Sequence, residues 1–179
     1  VIDSVTLATT QVGTTNAAAA GITVTPSAAT GTSFTASNYS ISYVAGSVTV
    51  NTAPLTVTAD NATTTYGTVI STGTGKTTFT SSGLMNSQTI GSVTLATTQT
   101  TTTNASAAGV TVTPSAATGG TFSASNYSIT YVAGSVTINK APLGINVSGT
   151  YSGSTTLSTP TLGTVTGLMN SETLTSLTS

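Results

Sequence analysis

The chain repeats itself, and this constrains its fold more than any other feature. Ser4-Val5-Thr6-Leu7-Ala8-Thr9-Thr10-Gln11 returns as Ser92-Val93-Thr94-Leu95-Ala96-Thr97-Thr98-Gln99. Thr23-Val24-Thr25-Pro26-Ser27-Ala28-Ala29-Thr30-Gly31 returns as residues 111–119, and Ala36-Ser37-Asn38-Tyr39-Ser40-Ile41 as residues 124–129. The offset stays at about 88 residues, the length of one small domain rather than of a short solenoid turn. A second similarity covers the other half of the unit: Ala53-Pro54-Leu55 returns as Ala141-Pro142-Leu143, and Gly83-Leu84-Met85-Asn86-Ser87 as Gly167-Leu168-Met169-Asn170-Ser171. The second offset falls to about 84, so the third copy is shorter between these landmarks.

The Ala-Pro pair is the natural boundary. Residues 1–52 then read as the C-terminal part of a repeat module, 53–140 as a complete module, and 141–179 as the N-terminal part of a following one. Residues 173–179 also align with 1–7. Two explanations are open: the chain is a length of a longer array, or a strand at one end completes a neighbouring molecule.

Within each copy the apolar residues alternate with hydroxyls. Tyr39-Ser40-Ile41-Ser42-Tyr43, Ser47-Val48-Thr49-Val50, Leu55-Thr56-Val57-Thr58 and Val93-Thr94-Leu95 all have a period of two, the signature of a half-buried strand. Val110-Thr111-Val112-Thr113 follows the pattern and is expected to end at Pro114; Ala45-Gly46 is expected to turn a hairpin. No segment carries a helical apolar stripe. The predicted class is all-β: tandem antiparallel β-sandwich (Ig-like) modules, with a β-grasp-like sheet as the alternative. Asn51-Thr52-Ala53-Pro54 and Asn139-Lys140-Ala141-Pro142 join last strand to first strand directly. Proline stiffens each joint, so a semi-rigid rod is expected.

Composition removes most functions. Only 3% of the 179 residues are charged; His, Cys and Trp are absent. Ser and Thr fill roughly 40% of positions, far above ordinary usage. Acid–base and nucleophilic catalysis need tunable groups, and the chain offers only Asp3, Asp60, Lys76, Lys140 and Glu172. No catalytic, cofactor-binding or metal residue is assigned, no cofactor is expected, and the chain is read as not an enzyme. Two Lys+Arg cannot neutralise a nucleic-acid backbone, and no apolar run is long enough to span a bilayer.

The charged positions do not recur between copies: Asp60 matches Ser148, Asp3 matches Gly91, Glu172 matches Gln88, and Lys140 matches Thr52. They are read as solvated bystanders; a lysine–asparagine isopeptide at Lys76 or Lys140 would need a buried acid beside it. Tyr39, Tyr43, Tyr127 and Tyr131 recur and are expected to pack in the core with their hydroxyls at a wet edge. Carbohydrate stacking is their alternative role. Met85 and Met169 read as core filling at a turn. Asn38, Asn61, Asn104, Asn126 and Asn146 stand in glycosylation sequons, which an Asn-, Ser- and Thr-rich chain produces by chance.

The order Ala53–Asp60, Thr65-Tyr66-Gly67, Gly83–Ser87, Ser92–Leu95 and Asn126–Ile138 resembles the "mostly beta, glycine-rich" (MBG) repeats of filamentous-haemagglutinin-like bacterial surface adhesins. The Asn-Tyr-x-Ile-x-Tyr-x-x-Gly-x-Val-Thr-Ile close is its most specific part. The chain departs in having little charge and in carrying Ser87 and Ser171 where glycine is common. The resemblance implies a non-catalytic stalk segment of a large secreted adhesin or extracellular filament at the bacterial cell surface. Its expected partners are neighbouring repeat modules or copies of itself, with surface glycans as a further possibility. The rival readings are a self-assembling fibre subunit completed by strand exchange, and a glycan- or ice-binding module.

Overall fold

The computed structural model describes residues 1–151, 153 and 158–176. The last three positions of the match between 173–179 and 1–7 lie outside the described residues. The described chain is all-β, consistent with the β-sandwich class. Its strands are β1 (Ser4–Thr9), β2 (Thr23–Thr30), β3 (Gly46–Ser47), β4 (Ala53–Ala59), β5 (Ala62–Thr65), β6 (Gly73–Lys76) and β7 (Phe79–Ser82). They continue as β8 (Ser92–Thr97), β9 (Thr111–Thr118), β10 (Tyr127–Val132), β11 (Gly134–Asn139), β12 (Gly144–Thr150) and β13 (Ser158–Thr166). Two three-residue 3-10 turns, Ala36–Asn38 and Ala124–Asn126, are the only helical elements among the described residues. A β-grasp helix has no place there.

The chain forms two compact units. One comprises Val1–Val57, Ser81–Gly91 and Ala117–Thr130; the other comprises Thr58–Thr80, Ser92–Ala116 and Tyr131–Ser179. The division passes through β4, β7, β9 and β10, so each unit draws on two successive copies of the repeat.

In the first unit β1, β2 and β3 form an antiparallel sheet in that order. The register of β1 against β2 shifts between Ser4 and Thr6, opposite Ala28, whose φ is 46°. Such a one-residue bulge bends a strand without ending it. It corrects the expectation that the proline closes the strand, because β2 and β9 both run four residues beyond Pro26 and Pro114. Proline lacks an N–H, and the pairing of β11 with β9 covers only Thr111 and Val112, short of Pro114.

A second sheet has the order β10-β4-β7. Leu55 and Val57 of β4 are fully buried, as is most of Tyr127 on β10. Alternation explains this: Thr56 and Thr58 occupy the other face and stay partly exposed.

In the second unit the order is β5-β11-β9-β8-β6. Val93, Leu95, Val112, Val136 and Ile138 are buried at alternate positions of β8, β9 and β11. The β5–β11 pair is parallel, Val136 opposite Ala62, so this sheet is mixed where an antiparallel one was expected. The hairpin expected at Ala45-Gly46 is also absent, because residues 39–45 form no strand and Gly46–Ser47 pairs with β2 instead; its equivalent in the middle copy turns no hairpin either. Ala133-Gly134 joins β10 to β11, and these strands belong to different sheets. Gly134 is required there, because a Cβ would stand 2.6 Å from the Ala59 and Asp60 carbonyl oxygens. The third copy contributes an antiparallel pair, β12 with β13.

Candidate functional site

The features that recur in three dimensions are the joints between copies. Each is built from a turn of one copy and a loop of the copy before it.

The turn is Gly83-Leu84-Met85-Asn86-Ser87-Gln88, repeated as Gly167-Leu168-Met169-Asn170-Ser171-Glu172. Gly83 and Gly167 sit at φ 104° and 90°, and a Cβ on either would collide with the carbonyl oxygen of Pro54 or Pro142. The glycine therefore lets each turn lie on the Ala-Pro joint of its own copy. Asn86 and Ser87 follow at φ 53° and 56°, Asn170 and Ser171 at 51° and 62°. The turns close through Gln88 N–H to the Met85 carbonyl at 3.0 Å and Glu172 N–H to the Met169 carbonyl at 2.9 Å. Two successive left-handed residues make a turn in which Asn-Gly is the favoured pair. This is a physical reason for glycine being common where Ser87 and Ser171 stand here.

The left-handed turn aims the asparagine at the preceding copy. Asn86 Nδ2 donates to the Gly13 carbonyl at 3.1 Å, and Asn170 Nδ2 donates to the Thr101 carbonyl at 2.9 Å. Gly13 and Thr101 are equivalent positions. Both acceptor loops are tied in the same way: Val12 N–H to Thr15 Oγ1 and Thr100 N–H to Thr103 Oγ1, each at 2.8 Å. The same clasp is thus made twice, once in each compact unit.

The two joints differ in what surrounds the clasp. At the first, Asn126 Oδ1 accepts from Ala17 N–H at 2.9 Å and its Nδ2 donates to Asn16 Oδ1 at 3.0 Å. Tyr127 accepts from Met85 N–H at 3.0 Å and donates to Gln88 Oε1 at 2.5 Å. At the second, Tyr66 donates to Glu172 Oε1 at 2.6 Å. Met169 lies over Gly67 so closely that a Cβ there would be 2.8 Å from its Cγ. Cavities of about 430 Å³ and 280 Å³ open beside the two clasps, with Asn16 and Met85 on the first and their equivalents Asn104 and Met169 on the second.

Several expectations change. Met85 is 51% exposed and is a joint residue rather than core filling. Glu172 is not an idle charge, and neither is Asp3, whose carboxylate accepts from Thr32 N–H at 2.6 Å and Thr32 Oγ1 at 2.7 Å. The Thr32 hydroxyl, then its N–H, hold the Asp3 carboxyl below its ordinary value. Lys76 donates to Ser71 Oγ at 2.8 Å, a neutral partner, and Lys140 lines the second cavity. Of the tyrosines, Tyr127 is buried against Phe122, whereas Tyr39 stacks on Phe34 and remains 64% exposed. Tyr43 accepts from Ala29 N–H at 2.8 Å, and Tyr131 is half-buried. Among the sequons, the Asn61 side-chain Oδ1 accepts from Ser135 N–H at 2.8 Å.

Gln99 was given no role by sequence reasoning. It is buried, and its amide accepts from Ile70 N–H at 3.0 Å and donates to the Thr68 carbonyl at 2.6 Å. This ties the segment after Tyr66-Gly67 to the end of β8. Its equivalent Gln11 is exposed, so the repeat alone gives no hint of the role.

Among the described residues no group of three His, Cys, Asp or Glu is placed to hold a metal ion, and no helix is long and apolar enough to cross a membrane. Fold and joints define an all-β repeat protein whose copies are fastened by a recurring asparagine clasp. Residues 55–137 match the family described as MBG domain (YGX type). Tyr66-Gly67-Thr68 lies inside the match. No curated protein and no solved structure matches the chain. The MBG domain marks a repeat module of a surface protein, and such domains occur in extracellular surface proteins.

Proposed function

We propose that the chain is a non-catalytic stalk segment of a large secreted bacterial surface adhesin or extracellular filament, carried at the cell surface. Its modules are 1–52, 53–140 and 141–179, the outer two being parts, and its partners are neighbouring modules of the same kind. The observation that carries this reading is the repetition of one joint. Asn86 on Gly13 and Asn170 on Thr101 are the same bond at equivalent positions. A binding module would be selected at one surface; a spacer must reproduce the connection from one module to the next. Proline at the start of β4 and at its counterpart Pro142 removes a soft dihedral at the same place. A hydroxyl-rich outer face keeps such a segment wet with almost no charge, and the work it does is to hold a distal tip away from the cell.

Electron micrographs of the native particle test this. The reading expects a continuous beaded thread. Discrete globular particles would refute it, as would clear signals from this chain on a glycan array, in ice-growth inhibition, or in substrate turnover.

A further inference from the structure

Two short turns of the middle copy hold the turn 167–172 of the copy that follows. The first is Thr65-Tyr66-Gly67-Thr68, closed by Thr68 N–H on the Thr65 carbonyl at 3.0 Å, with Gly67 at φ 89°. A positive φ at the third residue marks a type II turn and calls for glycine. Met169 calls for it again, because a Cβ on Gly67 would stand 2.8 Å from Met169 Cγ and 3.0 Å from its Sδ. The second turn is the loop 100–103, closed by Thr103 N–H on the Thr100 carbonyl at 3.2 Å; its Thr101 carbonyl accepts from Asn170 Nδ2. Gln99 joins the two. Its backbone leads straight into Thr100, while its side chain accepts from Ile70 N–H and donates to the Thr68 carbonyl. It is 5% exposed, the one buried amide among the described residues. A buried amide satisfied at both ends holds its neighbours in one arrangement, since any other leaves polar groups unpaired.

We propose that Tyr66-Gly67 and the 100–103 loop form a socket that selects which module can follow, and that Gln99 is the positioning residue that sets its two walls. The socket takes three features of the incoming turn. They are an unbranched apolar side chain over Gly67, an asparagine amide on the Thr101 carbonyl, and an acceptor oxygen for the Tyr66 hydroxyl, which donates to Glu172 Oε1 at 2.6 Å. The third feature explains why a charge does not recur there. The turn of the middle copy has Gln88 where the third has Glu172, so the charge changes and the acceptor oxygen is kept. A turn with an aliphatic residue at this place leaves the tyrosine hydroxyl without that partner. This selection rests on the reading of the chain as a row of like modules, and it names the segment that each module reads in the next.

The two methionines of the chain give the test. Oxidation of a thioether by dilute hydrogen peroxide follows its exposure, and peptide mass spectrometry reads each sulfoxide formed in the intact folded chain. Met169 is half-buried and Met85 51% exposed, so Met169 should oxidise roughly two- to threefold more slowly than Met85. Gln99→Ala should bring Met169 to the rate of Met85 and leave Met85 unchanged. Glu172→Leu should also speed Met169, whereas Glu172→Gln should keep the wild-type rate; Glu172 is exposed, so neither change strikes a core. Val93→Ala, near the start of β8, separates positioning from mere loss of stability and should leave Met169 slow. The proposal is overturned if wild-type Met169 oxidises as fast as Met85, or if Gln99→Ala or Glu172→Leu leaves it slow. It is equally overturned if Glu172→Gln speeds Met169 as Glu172→Leu does, or if Val93→Ala speeds it as much as Gln99→Ala. Electron micrographs test the row of modules and the oxidation rates test the socket alone, so each can fail without the other.

Discussion

Ser4–Thr9 and Ser92–Thr97 have the same six residues, and both form strands paired with an identical partner sequence, residues 23–30 and 111–118. Yet Leu7 is 63% exposed and Leu95 4%. Nothing in the hexapeptide distinguishes them. The alternation of Val and Leu with Ser and Thr makes a strand with one apolar face in both places, but it cannot supply what covers that face. Full burial of one such side chain is worth roughly 1.5–3 kcal/mol, so Val93 and Leu95 contribute stability that Val5 and Leu7 largely do not.

The comparison breaks most easily at the leucines. Leu95→Ala should lower unfolding free energy by about 2–5 kcal/mol, the usual range for a buried leucine. Leu7→Ala should stay within roughly 0.5 kcal/mol. Denaturant titrations of both variants decide it, and equal losses would mean that the two strands share one environment.

The glutamines sharpen it next. Gln99→Ala leaves the Ile70 N–H and the Thr68 carbonyl without their partner and should cost about 1–3 kcal/mol. Gln11→Ala, at the equivalent exposed position, should cost nothing measurable in the same titration.

At the joints the copies should behave alike. Asn86→Ala and Asn170→Ala each remove one hydrogen bond and an asparagine from a left-handed position, at about 0.5–1.5 kcal/mol. Ser87→Gly and Ser171→Gly relieve the neighbouring left-handed serine and should raise stability by about 1 kcal/mol. Thermal unfolding of the four variants tests this; a loss on Ser→Gly would contradict the turn geometry.

The smallest effect separates Asp3 from Gly91. The depressed carboxyl pKa of Asp3 means that its contribution is present above the ordinary value of 3.8 and is lost as pH falls through the lower folded value. NMR titration should place the Asp3 carboxyl below 3.8, and Thr32→Val should return it towards that value. Asp3 is fully exposed, so the effect on stability is slight, and the second copy has no counterpart to show it.

Much of the architecture is legible in the residues. Period-two alternation locates β4, β8 and the start of β9, whereas the same pattern at Tyr39–Tyr43 and Ser47–Val50 forms no strand beyond Ser47 at the end of β3; the repeat locates the joints at Ala53-Pro54 and Ala141-Pro142. The Gly-Leu-Met-Asn turn is legible as a turn, and its left-handed demand explains why Ser87 and Ser171 look unusual. Other features resist reading for definite reasons. Ala45-Gly46, like its equivalent Ala133-Gly134, looks like a hairpin because a short break between two alternating runs is the same in sequence whether the chain turns back or crosses to another sheet. Pro114 looks like a strand end because the left-handed Ala116, φ 48°, through which β9 continues has no sequence mark. The roles of Gln99, Asn86 and Tyr66 depend on partners 29 or more residues away, as with Gln99 and Ile70 or Tyr66 and Glu172.

By itself the sequence determined the all-β class, the length and phase of the repeat, the face of each strand that can be apolar, and a surface with hydroxyls in place of charge. These follow from local rules: the pleat has a period of two, and copied segments make copied elements. Tertiary structure alone decided which copy buries its apolar face, which strands run parallel, and which asparagines fasten one copy to another. Those depend on contacts between distant segments, and identical residues meet different neighbours in different copies.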